Sequence, residues 1–417
     1  MRSDLSVAEA QALVLEETPR AGAETVAAPE ALGRVLAEPV VSGRQIPPAD
    51  NSAMDGYAVR AADLAGASPE APVALRVVFE VAAGGGAPRA LAAGEAARIF
   101  TGAPLPLGAD SIVRQEDAER AGETLRLRVA PAPGLDVRRA GEDVRAGETV
   151  LEAGALLGPA HLGMLAALGR SVVAVAQRPR VAILSGGDEL VEPDGDVSGG
   201  RIVSSNSWSL AAQCREAGAT PHYLGIARDE PADIERRLRA GLRADVLVTS
   251  AGVSVGDRDH VRGVLEKLGC SIRFWGVRMK PGYPMVFGRF DEGPLVFGLP
   301  GNPVSAMVTF EQFVRPALRR MLGHRALFRP LLRARLAEGL RKPAGRLYFV
   351  RVHLERRDGG LWARPTGSQS SGVLRSMIQG QGLLVFPAEA TELAEGAEAP
   401  VQVFDESFLA ETHSGVS

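Results

Sequence analysis

Apolar residues recur at helical spacing in three stretches of the N-terminal half of the chain. The first follows Ser6 and Glu9, whose spacing is that of a capping box and predicts the start of a helix. The second predicts a short helix over residues 29–36, and the third covers residues 141–169. Together they predict a helical domain assembled from separate parts of the chain.

From about residue 43 to residue 139 the pattern changes to short β-rich runs separated by Gly/Pro clusters. This pattern predicts an all-β module with tight turns, inserted between the helical parts. The last part of the chain also returns to strands and turns, with strands predicted over residues 347–355 and 383–386 and a hairpin around Asp358.

From Arg180 onward, buried strands alternate with helices, as in a parallel α/β sheet. Strands are predicted over residues 181–184, 222–226, 245–249 and 295–299. Helices are predicted over residues 206–217 with Asn206 as the cap, over 231–242 and 261–268, and from Pro303 onward. The chain is therefore predicted to be a multidomain protein of the α/β and β classes.

The predicted domains are a discontinuous helical domain over residues 1–42 and 141–176, an inserted all-β domain over 43–140, an α/β domain over 177–324 and a C-terminal β domain over 325–417.

The net charge, the cysteines and the N-terminal sequence bear on whether this is a nucleic-acid-binding, secreted or membrane protein. The net charge of −3 gives no bulk attraction to nucleic acid or to an anionic membrane surface. The two cysteines indicate a reducing compartment and no disulfide framework. The N-terminus lacks the basic start and apolar run of a secretory signal, and no stretch is apolar enough for a membrane span. We expect a cytoplasmic protein that binds neither nucleic acid nor membrane.

Two polar clusters directly follow predicted strands of the α/β region, at the edge where open α/β sheets bind ligands. In the first, residues 185–189, small residues allow an anion to approach the backbone, and Asp188 and Glu189 could hold a metal. The alternative is an ordinary Gly-Asp turn. The second, residues 249–259, could cradle phosphate and leave Asp257 or Asp259 free for Mg²⁺. Its alternative is a Gly-rich loop with a capping Asp.

A third cluster, residues 299–305, precedes a long helix. Asn302 suits the helix cap and Pro303 the first helical turn. Capping does not account for Pro300 and Gly301, which force a specific turn where a buried strand ends.

Two further clusters lie outside that strand edge. Lys280 stands in a Met-Lys-Pro-Gly segment, and only Lys267 and Lys342 accompany it among the 47 lysine and arginine residues, so it is a candidate point charge for an oxyanion. A turn lysine in solvent is an equally good interpretation. In the β insert, Asp55 and Thr101 are weaker candidates, because the sequence Asp-Gly is also a hairpin signal.

Some common chemistries are excluded. The chain has no nucleophile elbow, no phosphate loop of the Gly-Lys-Ser/Thr type and no dinucleotide-binding glycine pattern after a strand. Nothing in the sequence supports covalent hydrolase or kinase chemistry.

Seven segments in order resemble the MoeA family of molybdopterin molybdenumtransferases, the bacterial counterparts of the gephyrin E domain. They are NSAMDGYAVR, RIFTGAP, RRAGEDVRAGE, GGDEL, GVSVGDRD, MKPG and GLPGNPVSA. The resemblance runs across essentially the whole chain.

The resemblance implies a four-domain subunit with a MogA-like α/β domain and a C-terminal domain like a β-barrel. It also implies a homodimer, in which the α/β domain of one subunit faces the β insert of the other. Asp55 and Thr101 would then reach the active site from the partner subunit. Transient contact with other molybdenum cofactor proteins is also implied.

The chemistry implied by the family is insertion of molybdate into adenylylated molybdopterin, a pterin dithiolate, with Mg²⁺-dependent release of AMP. Two anions must be gathered in one pocket, which requires cations and N–H dipoles. By resemblance, the nucleotide phosphates contact Ser250, Gly252, Ser254, Gly256 and Asp257 and the turn of Pro300, Gly301, Asn302 and Pro303. Magnesium is assigned to Glu189, Asp229 and Asp259, and molybdate to Lys280, Arg351 and Ser371.

The sequence departs from the family pattern at four positions. Gly186 stands where Thr is common, Ala251 where Gly is usual, Gly276 where relatives often have a second lysine, and Tyr283 where Lys or another residue occurs. The missing lysine lowers the positive charge near the expected molybdate site, which leaves tungstate open as the oxyanion. Arg273 or Arg278 could compensate.

Three other functions fit parts of the sequence. A MogA-like adenylyltransferase would not need the β insert with Asp55 and Thr101. A CinA-like nucleotide hydrolase would share only the α/β domain. A scaffold, as in receptor-clustering gephyrin, would not need the acidic and anion-binding residues.

Overall fold

The computed structural model describes residues 2–251, 260–357 and 359–410. The chain forms two compact units. Unit 1 consists of Met1–Thr25, Gly154–Leu156 and Ala174–Ser417, and unit 2 consists of Val26–Ala153 and Leu157–Val173. Unit 2 is thus a long insertion near the N-terminus of unit 1. The finer division into four domains stays a prediction.

Unit 1 contains a mixed sheet of seven strands. In spatial order they are Arg2–Leu5, Ser271–Val277, Val286–Arg289, Leu295–Leu299, Val246–Ser250, Arg180–Gly186 and Thr220–Ala227. The last four pair in parallel, as predicted, whereas Val286–Arg289 is antiparallel to both neighbours. The accompanying α-helices are Val7–Glu17, Asn206–Glu216, Pro231–Gly241, His260–Lys267, Pro303–Thr309 and Arg315–Met321, with the π-helical segment Phe310–Val314 between the last two.

Both faces of this sheet are buried. Val181 and Ile183 belong to one core cluster, and Ala182 and Leu184, which alternate with them along the same strand, belong to another. Successive side chains of a strand point to opposite faces of the sheet. A sheet covered on both faces explains why its strands are continuous apolar runs in the sequence.

The C-terminal part of unit 1 contains a closed barrel of five strands, which confirms the barrel implied by the family resemblance. The strands are Leu331–Leu336, Leu347–Arg357, Gly360–Pro365, Gly382–Phe386 and Glu398–Val403. Pairing of Leu347–Arg357 with Gly382–Phe386 closes the ring. The short strand Met279–Lys280 adds to Leu347–Arg357 in parallel, which places Lys280 beside the barrel.

Smaller elements complete unit 1. They are the strand pairs Leu190–Val191 with Ile202–Val203 and Leu340–Arg341 with Glu392–Leu393, the helix Arg375–Gln379, and the 3₁₀ turns Ser198–Gly200 and Ser407–Leu409. The strands Ala23–Ala27 and Val172–Ala176 each run across a boundary between the units in the chain.

Unit 2 is mainly β-structure, as predicted for the insert. Its six-stranded sheet has the order Ser111–Arg114, Gly56–Val59, Glu95–Ile99, Val73–Val81, Thr124–Leu127 and Ala118–Ala121. Its other elements are the strand pairs Val40–Val41 with Thr149–Leu151 and Asn51–Ser52 with Val137–Arg138, the 3₁₀ turns Ala28–Ala31, Ala61–Leu64 and Gln115–Asp117, and the helix Pro159–Ala167.

Helix prediction succeeded at the N-terminus and was wrong in two places. The capping box is confirmed, since the Ser6 hydroxyl accepts the Glu9 N–H and the Glu9 carboxylate accepts the Ser6 N–H. The helix predicted over residues 29–36 is only a 3₁₀ turn, because Gly33 has φ +72° and reverses the chain. Residues 141–158 contain a strand instead of a helix, and only Pro159–Ala167 is helical.

None of the described helices combines the length and apolar composition that a bilayer crossing requires.

A buried ionic cluster joins the helical layer of unit 1 to the start of the barrel. The Glu311 carboxylate, on the π-helical segment, accepts hydrogen bonds from Arg329 Nε at 2.9 Å and from Gln213 Nε2 at 2.9 Å. Arg315 Nε lies 3.7 Å from the same carboxylate. Burial lowers the pKa of Arg315 to about 10, and the nearby Glu311 carboxylate offsets part of this shift.

We expect Glu311→Gln to destabilise unit 1 by about 3 kcal/mol, because it removes the carboxylate nearest to Arg315 and one of the two that pair with Arg329. Urea unfolding followed by tryptophan fluorescence measures this, since Trp208, Trp275 and Trp362 all lie in unit 1. Glu392→Gln is the matched control: its ion pair with Arg341 has side chains 54% and 80% exposed, so the loss is expected to be under about 1 kcal/mol. Equal losses in the two variants would contradict the prediction.

Candidate active site

A cavity of about 640 Å³ lies at the carboxyl edge of the seven-stranded sheet. It opens where Arg180–Gly186, Val246–Ser250 and Leu295–Leu299 end, so the structure brings together the three polar clusters that follow these strands. The lining residues are Gly186, Glu189, Leu190, Ile202, Val203, Ser204, Ser205, Asn206, Ser250, Ala251, Pro284, Pro300, Gly301, Asn302, Pro303 and Gly372. This edge is where ligands bind in open α/β sheets.

The second cluster enters this cavity through Ser250 and Ala251. Ala251 has φ +78°, a left-handed conformation that glycine adopts at lower cost. This conformation explains why glycine is usual at this position in the family that the sequence resembles. Gly252, Ser254, Gly256, Asp257 and Asp259 lie outside the described residues, so their assigned contacts stay predictions.

Asn206 is a member of the site that sequence reasoning missed. It was predicted to be a helix cap, but it is the first residue of the helix and follows Ser205. Its side-chain amide donates to Ser250 Oγ at 2.6 Å and to the Gly301 carbonyl at 2.7 Å. Both partners are distant in the chain, so the sequence around Asn206 does not reveal these contacts.

The third cluster forms the turn that was expected before a helix. Asn302 occupies the cap position and Pro303 begins the helix, as predicted. The Asn302 side chain does not cap the helix; its Nδ2 donates to Ser371 Oγ at 3.0 Å. The Val304 N–H donates to the Ser371 carbonyl at 3.1 Å. Ser371 is thus held against the wall of the cavity.

Arg351 is almost fully buried, with 1% exposure. Its guanidinium donates to Ser376 Oγ at 3.1 Å and to the Ser370 carbonyl at 3.0 Å. Burial lowers its pKa to about 10. These contacts hold the loop that carries Ser371, whereas direct contact of Arg351 with molybdate stays a prediction.

Lys280 is exposed, and its ammonium lies 5.1 Å from the centre of the Tyr348 ring. Lys342 lies 5.2 Å from the same ring centre, so the ring has two cationic neighbours. In the part of the chain that the structure describes, the cavity lining includes neither Lys280 nor Arg351. The structure therefore does not bring Lys280 directly to the three clusters.

Gly276 and Tyr283, two of the departures from the family pattern, are neighbours. Gly276 has φ +79°, and a Cβ atom there would lie 3.5 Å from Tyr283 Oη. The two arginines expected to compensate for the missing lysine are engaged elsewhere. Arg273 pairs with Glu17 at 3.1 Å, and Arg278 donates to the Asp4 carbonyl at 2.8 Å.

The acidic residues of the first cluster lie at or beside the cavity. Glu189 lines it, and Asp188 Oδ1 accepts the backbone N–H of Asp229 at 3.2 Å, which brings Asp229 beside this loop. Gly187 has φ +138°, a conformation that favours glycine, and a Cβ atom there would also lie 2.6 Å from Glu189 Oε2. Within residues 2–251, 260–357 and 359–410, no three acidic, His or Cys side chains could hold a metal by themselves.

In unit 2, Asp55 and Thr101 are brought together by antiparallel pairing of the strands Gly56–Val59 and Glu95–Ile99. Asp55 Oδ1 accepts the Thr101 N–H and the Thr101 hydroxyl, both at 2.8 Å. These bonds lower the pKa of Asp55 below its ordinary value. Asp55 and Gly56 do not form a hairpin turn; Gly56 starts a strand, and a Cβ atom there would lie 2.1 Å from the Val113 carbonyl oxygen.

Nearly the whole chain matches regions of known protein families. Residues 5–169 match the MoeA N-terminal region, residues 182–320 a probable molybdopterin-binding domain, and residues 333–404 the MoeA C-terminal region. Molybdopterin molybdenumtransferase 2 of Mycobacterium tuberculosis is 40% identical over 96% of this chain and 99% of its own length. The molybdopterin molybdenumtransferase of a Nostoc species is 39% identical over 88% of this chain and 86% of its own.

Solved structures agree with the sequence matches. Two crystal structures of the molybdopterin biosynthesis protein MoeA from Pyrococcus horikoshii match with TM-scores of 0.85 and 0.82, at 33% and 31% identity. Each match covers 96% of this chain and 99% or 100% of the solved chain. In sequence, in fold and in the order of its domains, this chain belongs to the MoeA family.

Proposed function

We propose that the protein is a molybdopterin molybdenumtransferase, which inserts molybdenum into molybdopterin during molybdenum cofactor biosynthesis. Full-length similarity to curated enzymes of that name supports the proposal. The observation that carries it is the cavity at the carboxyl edge of the sheet, where Ser250, Asn302 and Glu189 meet. Hydroxyl and amide donors beside a carboxylate suit an anionic substrate that is handled together with a cation.

The finer proposal is that the substrates are adenylylated molybdopterin and molybdate. An oxygen of molybdate or of water attacks the adenylyl phosphorus, and the bond from this phosphorus to the pterin phosphate breaks. If water attacks, AMP leaves directly; if molybdate attacks, AMP leaves with the attacking oxygen when a dithiolate sulfur displaces it from molybdenum. The other oxygens that the sulfurs displace from molybdenum leave as water. The Ser250 hydroxyl and the turn Pro300–Pro303 bind phosphate oxygens, while Lys280, Arg351 and Ser371 serve molybdate. Arg351 positions Ser371 through the loop before it, since its guanidinium donates to carbonyl oxygens of that loop.

The acidic residues at and beside the cavity, Glu189 and Asp229, suit a magnesium ion. Mg²⁺ in phosphoryl-transfer sites is held by one or two carboxylates together with water and substrate phosphates, so a pair of carboxylates suffices. Glu189 and Asp229, with Asp259, would hold it, and when bound it would neutralise charge on the phosphoanhydride. Glu189 is placed for this by Gly187, which leaves room for the side chain to turn back on its own loop.

We further propose a cytoplasmic homodimer with active sites shared between subunits, in transient contact with other molybdenum cofactor proteins. Asp55 and Thr101 would face Glu189 and Ser250 of the other copy. The four-domain division inferred from the sequence, with boundaries near residues 43, 141, 177 and 325, belongs to the same proposal. Tungstate is the second candidate oxyanion, because Gly276 replaces a common lysine and Arg273 and Arg278 are already paired.

Purified protein incubated with adenylylated molybdopterin and Mg²⁺ is expected to release AMP only when molybdate or tungstate is added. Lys280→Gln is expected to raise the oxyanion concentration for half-maximal rate roughly tenfold, as loss of a charged contact implies. Lys267→Gln is the control, because Lys267 pairs with Glu235. Release of AMP without oxyanion would indicate a hydrolase, and AMP transfer to unmodified molybdopterin an adenylyltransferase.

The variants Asp55→Asn and Glu189→Gln should each be inactive. When the two variants are mixed and allowed to exchange subunits, activity should return. If sites are shared, the mixed dimer has one site with both residues intact, giving about a quarter of wild-type activity at random exchange. If each subunit forms its own site, every site in the mixture carries one substitution and no activity returns, which would refute sharing.

Thr101→Val is expected to raise the pKa of Asp55, because it removes the hydroxyl but leaves the backbone N–H donor. The hydrogen bonds to the Asp55 carboxylate contribute fully at a pH above the ordinary pKa of an aspartate. Their contribution is lost as the pH falls through the lowered pKa of Asp55. The acidic limb of the rate profile should therefore move to higher pH in Thr101→Val. Thr124→Val, in a strand of the same unit, should leave it in place. An unchanged limb in both variants would contradict a role for the Asp55 charge.

A further inference from the structure

The amide of Asn206 joins two walls of the cavity that are far apart in the chain. Asn206 is 9% exposed and lies at the first position of the helix Asn206–Glu216. Its Nδ2 donates to Ser250 Oγ, at the end of one parallel strand, and to the Gly301 carbonyl, in the turn after the next strand. A single amide group thus sets the spacing of Ser250 and Gly301.

The chemistry of the partners fixes the orientation of this amide. The Gly301 carbonyl can only accept a hydrogen bond, so the atom that faces it must be the nitrogen and not the oxygen. The same nitrogen reaches Ser250 Oγ, and an amide N–H can only donate. Ser250 Oγ is therefore an acceptor in this contact.

This contact leaves the hydroxyl hydrogen of Ser250 unused. A serine hydroxyl has one hydrogen, and here the bond from Asn206 occupies a lone pair of the oxygen. Within the described residues, the Ser250 hydroxyl donates to no other group. Ser250 also lines the cavity, so its O–H can donate to an anionic oxygen there. Hydrogen bonds to charged acceptors are among the stronger ones.

Neighbouring side chains hold the start of the helix in place. The Ser207 hydroxyl donates to the Ser204 carbonyl at 3.1 Å, and Ser204 Oγ donates to Ser185 Oγ at 3.2 Å. Asn206 Oδ1 is buried and accepts no hydrogen bond from the described part of the chain. An unpaired buried acceptor costs stability, so the residue is poorly explained by stability alone.

We propose that Asn206 is a positioning residue, which turns the Ser250 hydroxyl into a donor for an anionic oxygen of the nucleotide part of the substrate. The proposal rests on the proposed function for the identity of that substrate. An aspartate at this position would reverse the contact. Its carboxylate would accept the Ser250 hydrogen and withdraw it from the ligand, and it would repel the Gly301 carbonyl.

The test is a double-mutant cycle of Asn206→Asp and Ser250→Ala. Each single variant is expected to raise the KM for adenylylated molybdopterin roughly 10- to 100-fold, with a smaller change in kcat, since a charged hydrogen bond of the bound substrate is lost. Because both substitutions remove the same donor, the KM increase of the double variant should be smaller than the product of the two single increases, and its excess over Ser250→Ala should reflect only the added negative charge. KM effects that multiply, or Asn206→Asp kinetics like the wild type, would overturn the proposal.

Gln213→Ala is the matched control for the loss of a buried amide. Gln213 lies on the same helix and donates to the Met307 carbonyl at 3.2 Å and to Glu311 at 2.9 Å, away from the cavity lining. It should lower the melting temperature without raising KM. A KM increase equal to that of Asn206→Asp would show that any loosening of this helix is sufficient. If Asn206→Asp does not fold, Asn206→Ala replaces it in the cycle. It leaves the Ser250 hydroxyl unoriented, so its KM increase should be smaller and should vanish in the Ser250→Ala background.

Calorimetric titration with AMP separates this inference from the proposed function. The same non-additive loss of AMP affinity is expected across the cycle whether or not the wild type turns over. If the wild type binds AMP with this pattern but releases no AMP on addition of molybdate, the proposed function fails and the role of Asn206 stands. If AMP binds with equal affinity to all variants, or to none including the wild type, the role of Asn206 is refuted.

Discussion

The parallel hydrogen-bond ladder between three central strands is the constraint on which the site depends. It pairs Ser185 with Ser250 and Ser250 with Leu299, side by side across the sheet. The residues that follow these partners therefore emerge together at one edge, although they are separated by dozens of positions in the chain. A slip of this register would exchange side chains between the two buried faces, which would disrupt the packing on both and separate the walls of the cavity.

Sequence patterns predicted the parts of this arrangement that arise from local rules. Apolar strands and the polar residues after them follow from burial on both faces of a parallel-rich sheet, and the cap at Asn302 follows from helix chemistry. The contacts of Asn206 with Ser250 and of Ser371 with Asn302 could not be predicted, because the partners lie 44 and 69 positions apart in the chain. Helical spacing was misleading over residues 141–158, where Gly147 and Gly154 adopt positive φ and the chain forms a strand.

Positive charge is divided between two kinds of position. Arg351 is buried, and its guanidinium is occupied by the loop leading to Ser371, so it shapes the site through the backbone. Lys280 is exposed beside an aromatic ring, where an ammonium keeps its hydration and can exchange water for an anion. A guanidinium suits the first task because its fork of donors matches several carbonyl oxygens at once.

The backbone at Gly276 limits which side chains can replace this glycine beside Tyr283. A lysine at position 276 would have to adopt φ near +79° and extend past the Tyr283 ring. The backbone alone disfavours this side chain, since a Cβ atom there would be at ordinary contact distance, 3.5 Å, from Tyr283 Oη. A positive charge introduced at position 276 by one substitution would therefore carry the cost of a strained backbone.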